Sequence, residues 1–367
     1  MGVLKREPGL LFGLLTAVVY FFAGKPILGD LSNVGLGVGS FVWIFAAMLW
    51  LSFVVVRHAD ALAIQLGEPF GTLILTLSVI SIEVIMVAAV MLTGDENPTL
   101  GRDMMFSVVM IVLTVLVGLS LLLGGRDHWE QRHNLQGANS FLVVLIPMSV
   151  LVLILPNFTR STGVGSYSPT QTIFLIVATV CLYGAFLALQ TLSHRDYFRA
   201  PDAADDAGED AHGHGIELLS VPVHAALLIL AMLPIVVLSK SMAKLVDHGI
   251  FVAGAPAALG GFIIATLVLT PEGLSAVRAA KGNRLQRSIN ICLGSALATV
   301  GLTLPAVLII GMVTGKEVIL GLGNPESVVL LLTLLVSSLN FSSGRSNWVQ
   351  GVVHLVLFAT YVVLIFD

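Results

Sequence analysis

Charge is what this sequence has least of. Of 367 residues only 11% are charged, against 56% hydrophobic, whereas soluble domains carry about 25% charge. A chain so poor in charge cannot present a water-facing surface around a core, so a soluble globule is excluded and the lipid bilayer becomes its first partner. Cysteine is scarce as well. The two present, Cys181 and Cys292, both sit inside apolar runs, which excludes a disulfide framework and reads as two structural thiols. Acidic and basic residues nearly cancel, 22 against 18, for a net charge of -4; nothing there addresses nucleic acid. No Walker lysine motif occurs, which argues against ATP-driven transport, and GLGVGS at Gly35 to Ser40 follows no strand, so it is not a nucleotide loop. No HExxH, intramembrane aspartate pair or nucleophile beside a base is found either, which argues against an intramembrane hydrolase. No cofactor is implied.

Long apolar runs are what the chain has in abundance. With about 20 apolar residues per crossing, the runs fall at about 9 to 23, 34 to 56, 69 to 92, 104 to 124, 138 to 157, 170 to 190, 217 to 238, 252 to 277, 288 to 312, 324 to 341 and 347 to 366. The expected fold class is therefore an all-α membrane protein of about 11 transmembrane helices. The first run follows Lys5 and Arg6 but no A-x-A cleavage site comes before Lys25-Pro26, so it is kept as a membrane helix. With a cytoplasmic N-terminus, that side collects Lys5, Arg6, Arg57, Arg126, Arg132, Arg195, Arg199, Arg278, Lys281, Arg284, Arg287 and Arg345. The other side keeps only Lys25, Arg102, Arg160, Lys240, Lys244 and Lys316. That excess of positive charge sets the N-terminus in the cytoplasm and the C-terminus outside.

One connection differs from all others. HRDYFRAPDAADDAGEDAHGHGIE, from His194 to Glu217, has almost no apolar content and gathers Asp202, Asp205, Asp206, Glu209, Asp210, His212 and His214. It predicts a solvated linker between halves, with a regulatory role in sensing a divalent cation or pH as the functional alternative.

The halves on either side resemble each other. GTLILTLSVISIE, Gly71 to Glu83, aligns without a gap to GGFIIATLVLTPE, Gly260 to Glu272, and Ser81 falls opposite Thr270. Val117-Gly118-Leu119-Ser120-Leu121 matches Val300-Gly301-Leu302-Thr303-Leu304, and at the same offset Asn157-Phe158 matches Asn340-Phe341. The expected organisation is an N-terminal helix and connection over 1–33, a first five-helix repeat over 34–193, the acidic connection over 194–216 and a second five-helix repeat over 217–367. An odd number of crossings forces the second copy to be inverted, an architecture that secondary transporters use, with the site near the midplane.

Two acids stand well inside the expected spans, Glu83 and Glu272, at matching repeat positions. A charged side chain at the centre of a spanning helix costs about 2.5 to 3.5 kcal/mol on insertion scales, so such acids are kept for function. Thr72 and Thr76 precede Glu83 by spacings that put all three within about 20° of one helix line; Gly261 and Ala265 hold the same places before Glu272. Pro271 frees a backbone carbonyl one turn earlier, near Leu267 or Val268, or simply kinks the helix. Low dielectric disfavours an ionised carboxylate, so without a cation each glutamate keeps its proton. A hard cation that selects oxygen ligands reverses the preference. Two acids neutralised either by one divalent cation or by two protons alternate their cargo, which is antiport. Glu68, with Pro69, opens the third helix and reads as a helix-terminal acid or as a gate. His224 and His354 read as hydrogen-bonded interior histidines, and Asn157 and Asn340 as helix caps.

GEPFGTLILTLSVISIEV, Gly67 to Val84, closely resembles the first signature of ChaA-type bacterial calcium/proton (sodium/proton) antiporters, within the calcium/cation antiporter superfamily. LVLTPEGLSAVRAAKGNRLQRSINICLGSALATVGLTLP, Leu267 to Pro305, resembles the second. The resemblance implies eleven helices and exchange of cytoplasmic cation for external protons at a pair of essential glutamates, Glu83 and Glu272, which are also the ligands of the transported metal cation. It implies further that Gly294-Ser295 lines the cation path; Thr72 and Thr76, by their helix spacing from Glu83, and Thr270, by its place in the repeat, are the expected support. Where related exchangers carry Gly-Asn before each glutamate, this sequence has Val79-Ile80 and Val268-Leu269, and Ala298 replaces an expected glutamine. Calcium is the expected cargo, with sodium or potassium the alternatives; a cation channel without proton coupling is the alternative function.

Overall fold

The computed structural model describes residues 7–29, 31, 33–67, 70–93, 97–201 and 219–367. Glu68, Asp205, Asp206, Glu209, Asp210, His212 and His214 lie outside the described residues. Among those described, helices follow one another as α1 (Pro8–Gly29), α2 (Val34–Leu66), α3 (Phe70–Thr93), α4 (Leu100–His128), α5 (Leu135–Leu153), α6 (Pro169–Ser193), α7 (Val221–Ala253), α8 (Ala258–Lys281), α9 (Leu285–Thr314), α10 (Asn324–Asn340) and α11 (Trp348–Ile365). Eight of these are long and apolar enough to cross a membrane; α1 and α3 contribute shorter apolar stretches, Pro8–Gly24 and Thr76–Leu92. Two strands, β1 (Glu130–Arg132) and β2 (Arg345–Asn347), pair antiparallel with Gln131 opposite Ser346.

Local sequence explains where the helices start and stop. The Asn33 side chain accepts from Leu36 N at 3.2 Å to open α2, and α6 and α11 begin with capping boxes, Ser168 with Gln171 and Asn347 with Gln350. The left-handed glycines Gly254 and Gly315 follow the last residues of α7 and α9. Several helices outlast their apolar runs. α2 continues past residue 56 to Leu66 because Arg57 finds Glu7 as an ion-pair partner. α7 continues past residue 238 to Ala253 through Lys240 and Lys244, the latter donating Nζ to Leu28 O at 2.7 Å. The charges at 57, 240 and 244, expected in connections, therefore sit on helices. Asp60, Asp103 and Asp247 also fall within helices, so Glu83 and Glu272 are not the sole acids there.

The chain forms two compact units, Met1–Leu100 with Ala211–Pro271, and Gly101–Asp210 with Glu272–Asp367. Each expected five-helix repeat is thus divided, its first helices in one unit and its later ones in the other. In the first unit α2 packs on α1, α3 and α7. Close approach of α1 and α2 relies on glycine: a Cβ on Gly13 would stand 2.4 Å from Leu51 Cδ2.

In the second unit the same link is made twice. The α4–α5 connection pairs with the α10–α11 connection through β1 and β2, extended by His133 N donating to Gly344 O at 3.0 Å. The α9–α10 connection pairs with the α5–α6 connection: Leu320 N and Gly321 N donate to Gly165 O at 2.8 and 2.9 Å. Asn157 and Asn340 do not cap helices. The Asn157 amide donates to Leu322 O, and the Asn340 amide reaches His354 Nε2 at 2.7 Å; both serve tertiary links, which local sequence cannot distinguish from caps.

α4 and α9, at matching places in the two repeats, each contain a π-helical turn, Ile111–Leu116 and Thr299–Thr303. Such an extra residue per turn re-aims side chains and frees backbone carbonyls, and it is found most often at functional positions.

Candidate cation and proton site

Glu83 stands just past the middle of α3, 3% exposed, with Val79, Ile80, Ile82, Met86 and Val87 buried around it in sequence. That apolar density is what makes its charge expensive, so a cation or a proton must accompany it. Glu272 stands in the middle of α8 and is half-buried. Ser295 of α9 donates its hydroxyl to Glu272 Oε2 at 2.6 Å. Ser295 lies one turn before the π-turn of α9. On the other flank Gly273 brings α8 against α4: a Cβ there would meet Leu116 Cδ2 at 2.5 Å, at the end of the α4 π-turn. The acid is held between two helices that each unwind locally beside it.

Two residues before each glutamate the helix repeats one feature. Ser81 Oγ donates to Leu77 O and Thr270 Oγ1 to Thr266 O, each at 2.6 Å. A hydroxyl whose proton is committed to a carbonyl of the previous turn keeps only lone pairs for other partners. Thr270 and Ser81 stand two residues from their acids, about 200° around the helix, so neither lies on the glutamate's own line. Thr76 does share the line of Glu83 and is half-buried; Thr72 belongs to α3, but its side chain is outside the described set.

The structure joins Ser295 to Glu272, whereas other polar residues of α9 face different partners. Asn290 of α9 is spent elsewhere, its amide donating to Phe198 O at 2.7 Å and its Oδ1 accepting from Gln286 at 2.8 Å. Thr299, 1% exposed, begins the π-turn. Cys292 is buried and Cys181 exposed, without a disulfide. Among the described residues no group of three or more His, Cys, Asp or Glu side chains is gathered to hold a metal.

Sequence reasoning passed over two buried acids, Glu7 and Asp103, each 6% exposed. Asp103, 6% exposed in the first turn of α4, accepts from Arg102 Nε at 2.8 Å, while Arg102 also donates to Gly321 O at 2.8 Å. The apolar ruler began α4 one residue later, at 104; the adjacent Arg-Asp pair opening a helix was the available signal.

Comparison with known proteins places these features. A profile of the family described as "Sodium/calcium exchanger protein" matches residues 36–192 and 223–366. Over 365 residues the chain is 38% identical to the Sodium-potassium/proton antiporter ChaA of Escherichia coli (strain K12), covering 98% of this chain and 96% of that one. It is 23% identical over 253 residues to the Ca(2+)/H(+) antiporter ChaA of Bacillus subtilis (strain 168), covering 69% of this chain and 70% of that one. Two solved structures share the fold. Native YfkE superposes with a TM-score of 0.71 at 19% identity, covering 95% of this chain and 99% of that one. The H+/Ca2+ exchanger CAX superposes with a TM-score of 0.70 at 15% identity, covering 98% and 88%.

Proposed function

Because the chain belongs to the sodium/calcium exchanger protein family, we propose that it is a secondary transporter of the bacterial inner membrane that exchanges a cytoplasmic cation for external protons. Glu83 and Glu272 hold cation and protons by turns. The observation that carries this is the pairing of two acids at equivalent places in an internal repeat, one of them 3% exposed within an apolar helix. Neither acid is stable as a bare charge in such surroundings, so each passes between a proton and a cation without a long-lived empty state. Ser295 orients the Glu272 carboxylate through the bond to Oε2. Alternating access then presents the loaded acids to one side and the other, and two inverted repeats supply two such arrangements of one fold.

The names of the relatives support an order of cargo. The 38% identical protein is named for sodium, potassium and protons, while the more distant ones are named for calcium. Sodium or potassium is accordingly the first cargo and calcium the second. Calcium, the cargo expected from the sequence, is the alternative; valine, isoleucine and leucine ahead of the acids, where further oxygen ligands would be needed, support the monovalent reading.

Everted membrane vesicles, acidified inside and loaded with a pH dye, are challenged with sodium, potassium and calcium in turn. Interior alkalinisation on adding sodium or potassium is the expected result. Cation movement with no change in interior pH would replace the antiport reading by a channel.

A further inference from the structure

A second group of titratable side chains is buried in the first unit and has no part in the exchange described above. His58 of α2 and His224 of α7 are each 2% exposed, and Glu7, just before α1, is 6% exposed. The two imidazoles meet Nδ1 to Nδ1 at 2.8 Å. His224 Nε2 accepts from the backbone N–H of Leu219 at 3.0 Å. His58 Nε2 stands 3.6 Å from Glu7 Oε1, and the other Glu7 oxygen pairs with Arg57. Gln65 of α2 donates to Leu219 O at 2.8 Å.

These contacts fix the tautomers without further assumption. An imidazole nitrogen that accepts from an N–H carries no proton, so neutral His224 bears its hydrogen on Nδ1. That hydrogen donates to His58 Nδ1, and neutral His58 must then carry its own on Nε2, facing Glu7. The result is a one-way chain from the Leu219 amide through two neutral rings, ending on a His58 Nε2–H that stands 3.6 Å from the Glu7 carboxylate, near it but not hydrogen-bonded to it. It closes the first turn of α7, and the backbone just before it, onto α2.

A further proton has only two nitrogens to occupy, His224 Nε2 and His58 Nδ1, and both already accept a hydrogen bond. Protonating the first sets N–H against the Leu219 N–H; protonating the second sets N–H against the His224 N–H. Either addition breaks a link in the chain, and Glu7 offers the new charge a partner. The ionisable groups at the pair are Glu7 before α1 and Arg57 on α2; Asp60 also belongs to α2 but stands about 200° around the helix from His58, and α3, also packed on α2, carries Glu83 as its one ionisable side chain.

We propose that Glu7, His58 and His224 form a second proton-binding site, distinct from the exchange acids, whose occupancy unfastens the start of α7 from α2. The described chain resumes at Leu219 after the acidic connection, so the site lies where that connection rejoins the helices. On the N-in orientation it reads cytoplasmic pH. Its effect on transport rests on the antiport reading; proton binding itself does not.

Hydrogen exchange of the purified full chain, read by mass spectrometry in peptides spanning 219–226 and corrected for intrinsic rates, tests the site directly. Between about pH 7.5 and about pH 3.5, protection in the native chain should fall about tenfold, the factor carried by one lost buried hydrogen bond. Glutamine can accept from Leu219 and donate to His58 but takes up no proton, so His224→Gln and His58→Gln, each keeping one titrating imidazole, should each show a smaller fall in protection with pH than the native chain. Protection unchanged with pH in the native chain overturns the proposal, and so does an undiminished pH-dependent fall in both glutamine variants. If one variant does not fold, the native chain and the other variant decide. In vesicles, lowering the pH on the cytoplasmic face should slow exchange at a lower pH in the variants than in the native protein. Should no protein exchange at all, the antiport reading fails while the hydrogen-exchange result still judges the site.

Discussion

Glu83 and Glu272 are alike in sequence position and unlike in setting. Both could be found from sequence alone, because an acid inside a long apolar run is costly and therefore conspicuous. Their surroundings could not. Glu83 is enclosed, whereas Glu272 is half-buried and takes the Ser295 hydroxyl. A serine within a helix carries no pattern of its own, and Ser295 entered through family resemblance only. A hydrogen bond to a charged group contributes about 1.5 kcal/mol or more. Ser295→Ala should therefore raise the cation concentration for half-maximal exchange about tenfold, and Ser295→Thr, which keeps the hydroxyl, should restore it. Dye-loaded vesicles titrated with cation read both values; an unchanged half-saturation in Ser295→Ala would mean that the bond does not serve the cargo.

Helices are where apolar length misled most. A ruler of apolar residues ended α2 near 56 and α7 near 238, yet both run on because Arg57 and Lys244 find tertiary partners. The π-turns were equally invisible, since an extra residue in one turn leaves no mark in composition. Where α11 crosses α4, glycine is required: a Cβ on Gly351 would stand 2.5 Å from Leu122 N and 2.7 Å from Gly118 O, both backbone atoms that cannot swing aside. Gly351→Ala should cost roughly 1 to 3 kcal/mol and lower the melting temperature in detergent. Gly184→Ala, with nothing near its Cβ, should leave that temperature unchanged or slightly higher.

The β1–β2 link between connections adds a pH dependence. Beside it His133, 3% exposed, sits against Phe341, and burial holds its imidazole below the ordinary 6.5, with the Phe341 carbonyl pulling the other way. A histidine depressed in the fold binds its proton more readily when unfolded. Its contribution is present above about pH 6.5 and is lost as pH falls from there through the lower folded value. The melting temperature should accordingly fall on acidification, and less steeply in His133→Asn; equal slopes would remove His133 as the cause.

For the whole molecule, composition placed the chain in a membrane and a weak repeat suggested its inverted halves, both from patterns that extend over many residues. How the helices sort into compact units was not legible. That sorting divides each repeat, and it depends on side-chain fit rather than on periodicity. The distribution of basic residues predicts a cytoplasmic N-terminus and an external C-terminus. Alkaline phosphatase fused after Asp367 should be active and a fluorescent protein fused there dark; the reverse pattern would overturn the orientation and with it the side that faces the acidic connection.

The central claim is that cation and protons share Glu83 and Glu272, and the most direct test replaces each by glutamine. In everted vesicles holding native amounts of protein, Glu83→Gln and Glu272→Gln should each abolish the interior alkalinisation that sodium or potassium produces. Exchange retained by both variants would contradict it.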